Sequence, residues 1–318
     1  MPITIPPIMS AFGGKSFNPA TDIPAQTGRV ILVTGGNSGL GKQSVLQLAR
    51  HNPACIWLCA RGEARAQAAI DDIRAAVLDS TTTIKPLDLD LTSFASIKAA
   101  ARRVLAESDR LDILMLNAGI MATPPGLTAE GYEIQFGTNH VGHALLTKLL
   151  LPLVLKTASE HKDVRIVVLS SAAFQLSPRQ GIMFDTLKTK QEDTHTALRY
   201  GQSKLANILF AAEMARRYPQ ITTVSVHPGT VSTNLANAFG NSSVLLKPLL
   251  WFYFNIVATS AENGARNQLW AATAEGVKSG LYYTPVGNDR GMVGMAKDEE
   301  LAGKLWEWTE KELEGQTV

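Results

Sequence analysis

"VILVTGGNSGLGKQSV", Val30 to Val45, is an apolar run that ends in glycines and resumes with the spacing of a helix. The chain must turn tightly from strand to helix here. Glycine suits such a turn where φ is positive, and where the backbone must come close to a pyrophosphate. Gly35, Gly39 and Gly41 occupy the stretch, with Asn37, Ser38 and Leu40 among them. The helix that follows offers unpaired N–H groups and a partial positive charge to a phosphate. A glycine-rich turn without a ligand is the alternative. The strand before it and the helix after it are the context that a dinucleotide-binding turn requires.

Strand and helix patterns alternate outward from this turn. "CIWLCAR", "TTIKPLDLDL", "LDILMLNAG", "VRIVVLSS" and "TTVSVHPG" are further strands, each separated from the next by a helical pattern. They are apolar without alternation, as in strands covered on both faces. This predicts an α/β fold, a single-domain doubly wound parallel sheet with right-handed crossovers and helices on both faces. Residues 1–28, rich in Pro, Gly and Ser, read as an extended arm. Residues 29–318 read as one dinucleotide-binding domain, irregular after Gly229. Pro152 is expected to bend or interrupt the long helical stretch "GYEIQFGTNHVGHALLTKLLLPLVLK".

Bulk composition excludes several other classes. Hydrophobic residues are 45% and charged residues 18% of the 318, a core-rich balance rather than a disordered one. The net charge of +2 supplies no long-range field for nucleic acid. Cys55 and Cys59 lie in the apolar "ACIWLCA" and read as buried free thiols, not as a disulfide or a metal site. The opening "MPITIPPIMSAFGGK" lacks the basic and apolar regions of a secretory signal. "PLLWFYFNIVA", Pro248 to Ala258, is far short of the roughly 20 residues that span a bilayer. The expectation is a soluble, cytoplasmic protein.

The end of the second strand bears on the type of dinucleotide. A carboxylate there would hold the ribose 2′-hydroxyl of NAD, and an arginine the 2′-phosphate of NADP. "CIWLCAR" ends in Arg61, and no acid follows until Glu63. A guanidinium beside a phosphate makes a charge-assisted contact, which favours NADP. A solvated arginine at a strand end is the alternative.

"LRYGQSKLANILFAAEMARRY", Leu198 to Tyr218, reads as one amphipathic helix that carries Tyr200 and Lys204. Positions four apart share a helix face. A free phenol titrates near about 10 and is a poor acid–base catalyst at neutral pH. A positive charge about 4 Å away is worth roughly 4 kcal/mol at an effective dielectric near 20. That would lower the phenol by as much as about three units, poised to exchange a proton with a carbonyl or an alcohol. The spacing alone arises easily by chance. Ser170 and Ser171 end a strand at its C-terminal edge, where open parallel sheets bind ligands, and one hydroxyl could hold a substrate oxygen. Asn139 lies inside the long helix, where its side chain could anchor a water relay from the lysine; a capping serine and a buried backbone-satisfying asparagine are the bland alternatives.

"TGGNSGLG", "LNAG" at Leu116 to Gly119, Asn139, Ser170–Ser171, "YGQSK" and "HPGTVST" occur in the order of the short-chain dehydrogenase/reductase family. The chain resembles that family over roughly 29–283. It looks most like the retinol-dehydrogenase and WW-domain-oxidoreductase group, especially its fungal members. The resemblance implies a Rossmann-type sheet with a seventh strand near "SGLYYT", and a tetrad of Asn139, Ser171, Tyr200 and Lys204. Tyr200 would be the acid–base, and Lys204 would lower its pKa and hold the nicotinamide ribose. Ser171 is taken over Ser170 because the family's serine is usually the second of such a pair. Asp90, with Leu91 beside it, matches the position that contacts the adenine, with Asp88 as rival. Asn117, Ala118 and Gly119 would line the adenine ribose. Pro228, Gly229, Val231 and Thr233 match the stretch beside the nicotinamide.

One departure is the polar insertion "QLSPRQGIMFDTLKTKQEDTHTA" between Ser171 and Tyr200, expected to form a wall of the substrate site. A lid is expected at about 234–260, with Trp251, Phe252, Tyr253 and Phe254 as apolar lining for a hydrophobic carbonyl substrate. Core packing, a membrane surface and a homodimer contact are the other uses of that patch. The expected activity is NADP-dependent interconversion of a carbonyl and an alcohol, in the reductive direction. Tyr200 and Lys204 disfavour a cofactor-sensing protein without turnover, which needs neither. Non-redox chemistry on the same scaffold is the remaining alternative.

Overall fold

The computed structural model describes residues 14–229 and 260–318. Seven parallel strands form one sheet: β1 (Val30–Val33), β2 (Cys55–Ala60), β3 (Thr83–Asp88), β4 (Ile113–Leu116), β5 (Arg165–Leu169), β6 (Thr222–Val226) and β7 (Tyr282–Tyr283). Their order is β3-β2-β1-β4-β5-β6-β7, so the winding direction reverses between β1 and β4. Register is continuous across that point, with Leu32 opposite Trp57 on one side and opposite Leu114 on the other. β1 and β4 are buried along their whole length, as their unbroken apolar sequences require, and so is β5, whose opening Arg165 donates to the Ala271 and Ala274 carbonyls. β3 is buried only at Ile84 and Leu87 and exposed at both ends, because it is an edge strand, and that position tolerates Pro86.

Two apolar layers cover the sheet. One face packs α1 (Gly39–Ala49), α2 (Glu63–Ala76) and α6 (Ala261–Thr273). The other packs α3 (Phe94–Glu107), α4 (Gly142–Glu160), α5 (Thr196–Arg217) and α7 (Glu299–Glu312). The doubly wound arrangement and the seventh strand are therefore as expected. The region after Gly229 is not irregular throughout, since α6, β7 and α7 all follow it. Asp298 caps α7 by accepting from the Leu301 amide, and Glu299 and Glu300 complement its dipole. The stretch expected to be an extended arm carries a short helix, Pro19–Asp22, and buries Phe17 and Ile23.

Pro152 does not interrupt α4. It lies on the exposed side of the helix, where a carbonyl freed from the ladder can meet water. The irregularity falls earlier. A helical turn at Ile134–Phe136 leads into a π-turn at Gly137–Val141, in which the Gly142 amide donates to the Gly137 carbonyl. Asn139 sits in that turn.

Candidate active site

The glycine-rich turn lies at the C-terminal end of β1, at the point where strand order reverses. Gly35 and Gly39 adopt φ of +66° and +52°, values that favour glycine. A Cβ at Gly41 would overlap the Gly35 carbonyl and come within 2.5 Å of the Asn117 amide nitrogen. Ser38 stands exposed at the N-cap of α1, yet its hydroxyl makes no capping bond, and Asn37 and Leu40 near it are half-buried. The first-turn amides are thus left for an outside acceptor, which is how a helix start receives a phosphate.

The turn is braced from behind. The Asn117 side chain donates to the Thr34 carbonyl at 2.8 Å, and its oxygen accepts from Gln268 at 3.2 Å. The Ala118 amide donates to the Thr34 hydroxyl at 2.9 Å. Asn117 therefore holds the turn with its side chain, and only the backbone of 117–119 remains to line a ribose. Gln268 was not legible in the sequence. It arrives from α6, is fully buried, and also donates to the Ser44 hydroxyl at 2.6 Å. The Ser260 cap on "AENGARNQLWAAT" was the available sign of that helix.

Arg61 is exposed just past β2, and no hydrogen bond or ion pair engages it among the described residues. The two candidate aspartates differ in use. Asp88 accepts from the Gly62 amide at 2.7 Å, next to Arg61. Asp90 accepts from the Thr92 amide and hydroxyl at 2.9 and 2.7 Å, and so shapes the loop after β3. Leu91 is buried in the core. Gly229, with φ of +84°, and Pro228 follow β6, where Asn267 donates to the His227 carbonyl at 2.8 Å. Val231, Thr233 and the expected lid over 234–259 lie outside the described residues.

The tetrad residues converge beyond β4 and β5. Ser171 caps a 3-10 helix, Ala172–Leu176, accepting from the Ala173 amide, and its hydroxyl bonds the Tyr200 phenol. That helix can lie against α5 because residue 201 is glycine. A Cβ there would come within 2.7 Å of the Leu176 backbone. Lys204 is buried and donates to the Leu169 carbonyl at 3.1 Å. Asn139 Oδ1 and Lys204 Nζ both lie within 3.3 Å of the point a Gly119 Cβ would occupy.

Two electrostatic expectations fail. Burial pushes the Tyr200 phenol up to about 12, with the Ser171 hydrogen bond acting against the rise. Burial also pushes the Lys204 ammonium down to about 8. Lys204 does not lower the phenol here: its Nζ is 5.6 Å from the Tyr200 ring centroid and its hydrogen bond goes to Leu169. Loss of hydration outweighs attraction between the two groups. The second concerns Asn139. Its Nδ2 donates to the Ile120 carbonyl and to Ser203 Oγ, both at 2.9 Å, and its Oδ1 accepts from the Ile120 amide at 2.8 Å. Its main-chain carbonyl accepts from His143 Nδ1 at 3.0 Å. Asn139 is a clamp on the loop after β4, and its amide protons are all taken, so it does not donate to a water relay.

The insertion between Ser171 and Tyr200 is ordered by packing. Ile182 and Leu187 are buried in the core, and Gln191 and Gln202 bond each other at 2.7 Å. Its cleft of about 330 Å³, lined by Ile182, Phe184, Leu301 and Lys304 among others, contains none of the tetrad residues.

The residues fit a nicotinamide dinucleotide, because the α1 amides are uncapped and the buried Lys204 uses one acceptor on the protein. Comparison with known proteins agrees. The chain is 38% identical to an uncharacterised oxidoreductase of Schizosaccharomyces pombe, over 92% of this chain and 87% of that one. It is 36% identical to retinol dehydrogenase 12 of Mus musculus, over 96% and 91%. A crystal structure of an uncharacterised protein from Mycobacterium paratuberculosis matches with a TM-score of 0.69 at 31% identity, covering 92% of this chain and 96% of that one. With residues 29–243 matching the short-chain dehydrogenase model and the tetrad assembled beside the glycine-rich turn, the chain belongs to the short-chain dehydrogenase family of oxidoreductases.

Proposed function

We propose that the protein is an NADP(H)-dependent reductase of a hydrophobic ketone or aldehyde. The observation that carries this reading is the Ser171–Tyr200 hydroxyl pair beside buried Lys204. A carbonyl oxygen held by the Ser171 hydroxyl would take its proton from the Tyr200 phenol. Burial keeps that phenol protonated through the neutral range, as a proton donor must be. A bound reduced nicotinamide supplies the hydride to the carbonyl carbon. Lys204 offers its remaining N–H groups to the ribose, and the α1 amides with Arg61 meet the phosphates.

Arg61 supports NADP over NAD because the end of β2 presents a free guanidinium and no carboxylate of its own. The reduced NADP pool of a cell then favours reduction. The mouse relative is named for retinol, a hydrophobic alcohol, which supports an apolar substrate. In this reading the enzyme works in the cytoplasm on a small molecule, with no metal or nucleic acid in its chemistry.

The test is a titration of NADPH against NADH, followed by NADPH oxidation with a panel of hydrophobic ketones and aldehydes. Preference for NADPH that is lost in Arg61→Asp, with carbonyl-dependent oxidation that is lost in Tyr200→Phe, supports the reading. Equal or tighter binding of NADH overturns the cofactor assignment. Turnover that survives in Tyr200→Phe overturns the mechanism.

A further inference from the structure

Arg199 and Glu133 form an ion pair at 2.8 Å, with side chains only 2% and 0% exposed. Arg199 immediately precedes Tyr200 on α5. Glu133 opens the helical turn that runs into the π-turn of Asn139, and its other oxygen accepts from the Phe136 amide at 2.7 Å. The guanidinium also donates to the Thr123 carbonyl at 2.9 Å and the Thr194 carbonyl at 3.2 Å. Gln135 joins the same two elements. It donates to the Thr196 carbonyl and hydroxyl, both at 3.2 Å, and accepts from the Ala122 amide at 3.0 Å.

The loop Ile120–Thr123 is therefore held at three points, by Asn139, Gln135 and Arg199. It fills the space between the element that bears Asn139 and the helix that bears Tyr200. Taking two charges out of water is expensive, and well-packed apolar residues often replace such a pair without loss of stability. What apolar residues cannot supply is the fixed fork of donors that sets the approach of one element to another.

We propose that Arg199 and Glu133 are positioning residues, whose buried pair sets the place of Tyr200 relative to Asn139 and the loop between them. This rests on the reductase reading only for its kinetic consequence. The structural test uses the ligand-free protein labelled with ¹³Cζ-tyrosine, with the Tyr200 resonance assigned by its loss in Tyr200→Phe. In the double variant Arg199→Met/Glu133→Met the Tyr200 signal is expected to move or broaden, while those of Tyr218 and Tyr283, which pack on Trp306 and Trp270, stay in place. With NADPH and an accepted ketone, kcat is expected to fall about 10- to 100-fold while the KM for NADPH holds. A folded double variant whose Tyr200 signal superimposes on the wild type overturns the proposal.

Should the double variant not fold, Arg199→Lys gives the same readout. It keeps the buried charge and removes the fork. If neither variant folds, the pair holds the fold itself and the positioning role is overturned. A wild type that turns over no carbonyl would sink the reductase reading, and the tyrosine signal would still decide this one.

Discussion

The Ser170 hydroxyl donates to the main-chain carbonyl of Lys204 across 2.7 Å. This bond separates two serines that are neighbours in sequence. Ser170 is buried and ties the end of β5 to α5, while Ser171 is half-buried and bonds the Tyr200 phenol. Ser171→Ala is expected to lower kcat about 100-fold, the usual effect of losing one donor at a developing oxyanion. Ser170→Ala is expected to lower stability by about 1 kcal/mol with a much smaller change in kcat. Steady-state kinetics and urea midpoints on both variants check this, and the reverse pattern would exchange the two assignments.

Gly41→Ala is expected to abolish tight NADPH binding. The added Cβ would overlap the Gly35 carbonyl and press on the Asn117 amide, both backbone-braced parts of the turn. The overpacking itself is expected to remove about 1–3 kcal/mol of stability. A nucleotide titration with a thermal melt separates the two effects. NADPH affinity equal to the wild type in a folded Gly41→Ala protein would refute the phosphate role of this turn.

Much of this was legible in the sequence because it is local. Unbroken apolar runs such as Ile31–Val33 specify strands covered twice, and the glycines after β1 mark a turn that needs positive φ. What was not legible depends on distant partners or on head-group direction. Glu133 and Arg199 are 66 positions apart, and nothing in either neighbourhood marks an ion pair. Gln268 reaches Asn117 from 151 positions away. The i,i+4 spacing of Tyr200 and Lys204 correctly placed them on one helix face, yet it could not show that Lys204 Nζ turns to Leu169. The sign of the phenol shift was therefore misread.

The chain is expected to lose stability on mild acidification. Burial pushes His140 down to about 3, and His143 and His227 down to about 4, from an ordinary value near 6.5. In the unfolded chain these rings take up protons below about 6.5, while the folded protein resists until about 4. Their contribution is thus complete above pH 6.5 and is lost as pH falls through that window. Each ring adds up to about 1.4 kcal/mol per pH unit. His143 also bridges Thr34 Oγ1 at 2.9 Å and the Asn139 carbonyl, so one of these neutral rings packs beside the site. Urea unfolding at pH 7, 6 and 5 measures it, and a flat profile would contradict the burial of these rings.

Tyr282 is expected to tolerate loss of its hydroxyl. The residue is fully buried, packs edge-on against Phe174 at 5.5 Å, and its hydroxyl has no hydrogen-bond partner among the described residues. An unsatisfied buried polar group is destabilising by about 1–3 kcal/mol. Tyr282→Phe removes the group and keeps the ring contact, so its melting temperature should equal or exceed the wild type. A clear drop would show that a partner, such as an ordered water, satisfies the hydroxyl.

Lys204 is expected to destabilise the fold it serves. Burial lowers its ammonium to about 8, against an ordinary value of 10.5. Below pH 8 both folded and unfolded chains carry the charge, so the folded protein bears the full penalty of burying it. Between about 8 and 10.5 the folded lysine is neutral while the unfolded one is charged, and the penalty fades as pH rises. Lys204→Met, similar in length and apolar, is therefore expected to be more stable than the wild type at pH 7 by about 1–3 kcal/mol. The difference should shrink by pH 9.5, and the variant should be inactive. Urea denaturation at the two pH values with an NADPH oxidation assay tests both halves. A variant less stable than the wild type at pH 7 would mean that the Leu169 carbonyl and its surroundings compensate the buried charge. The lysine would then be structural as well as functional.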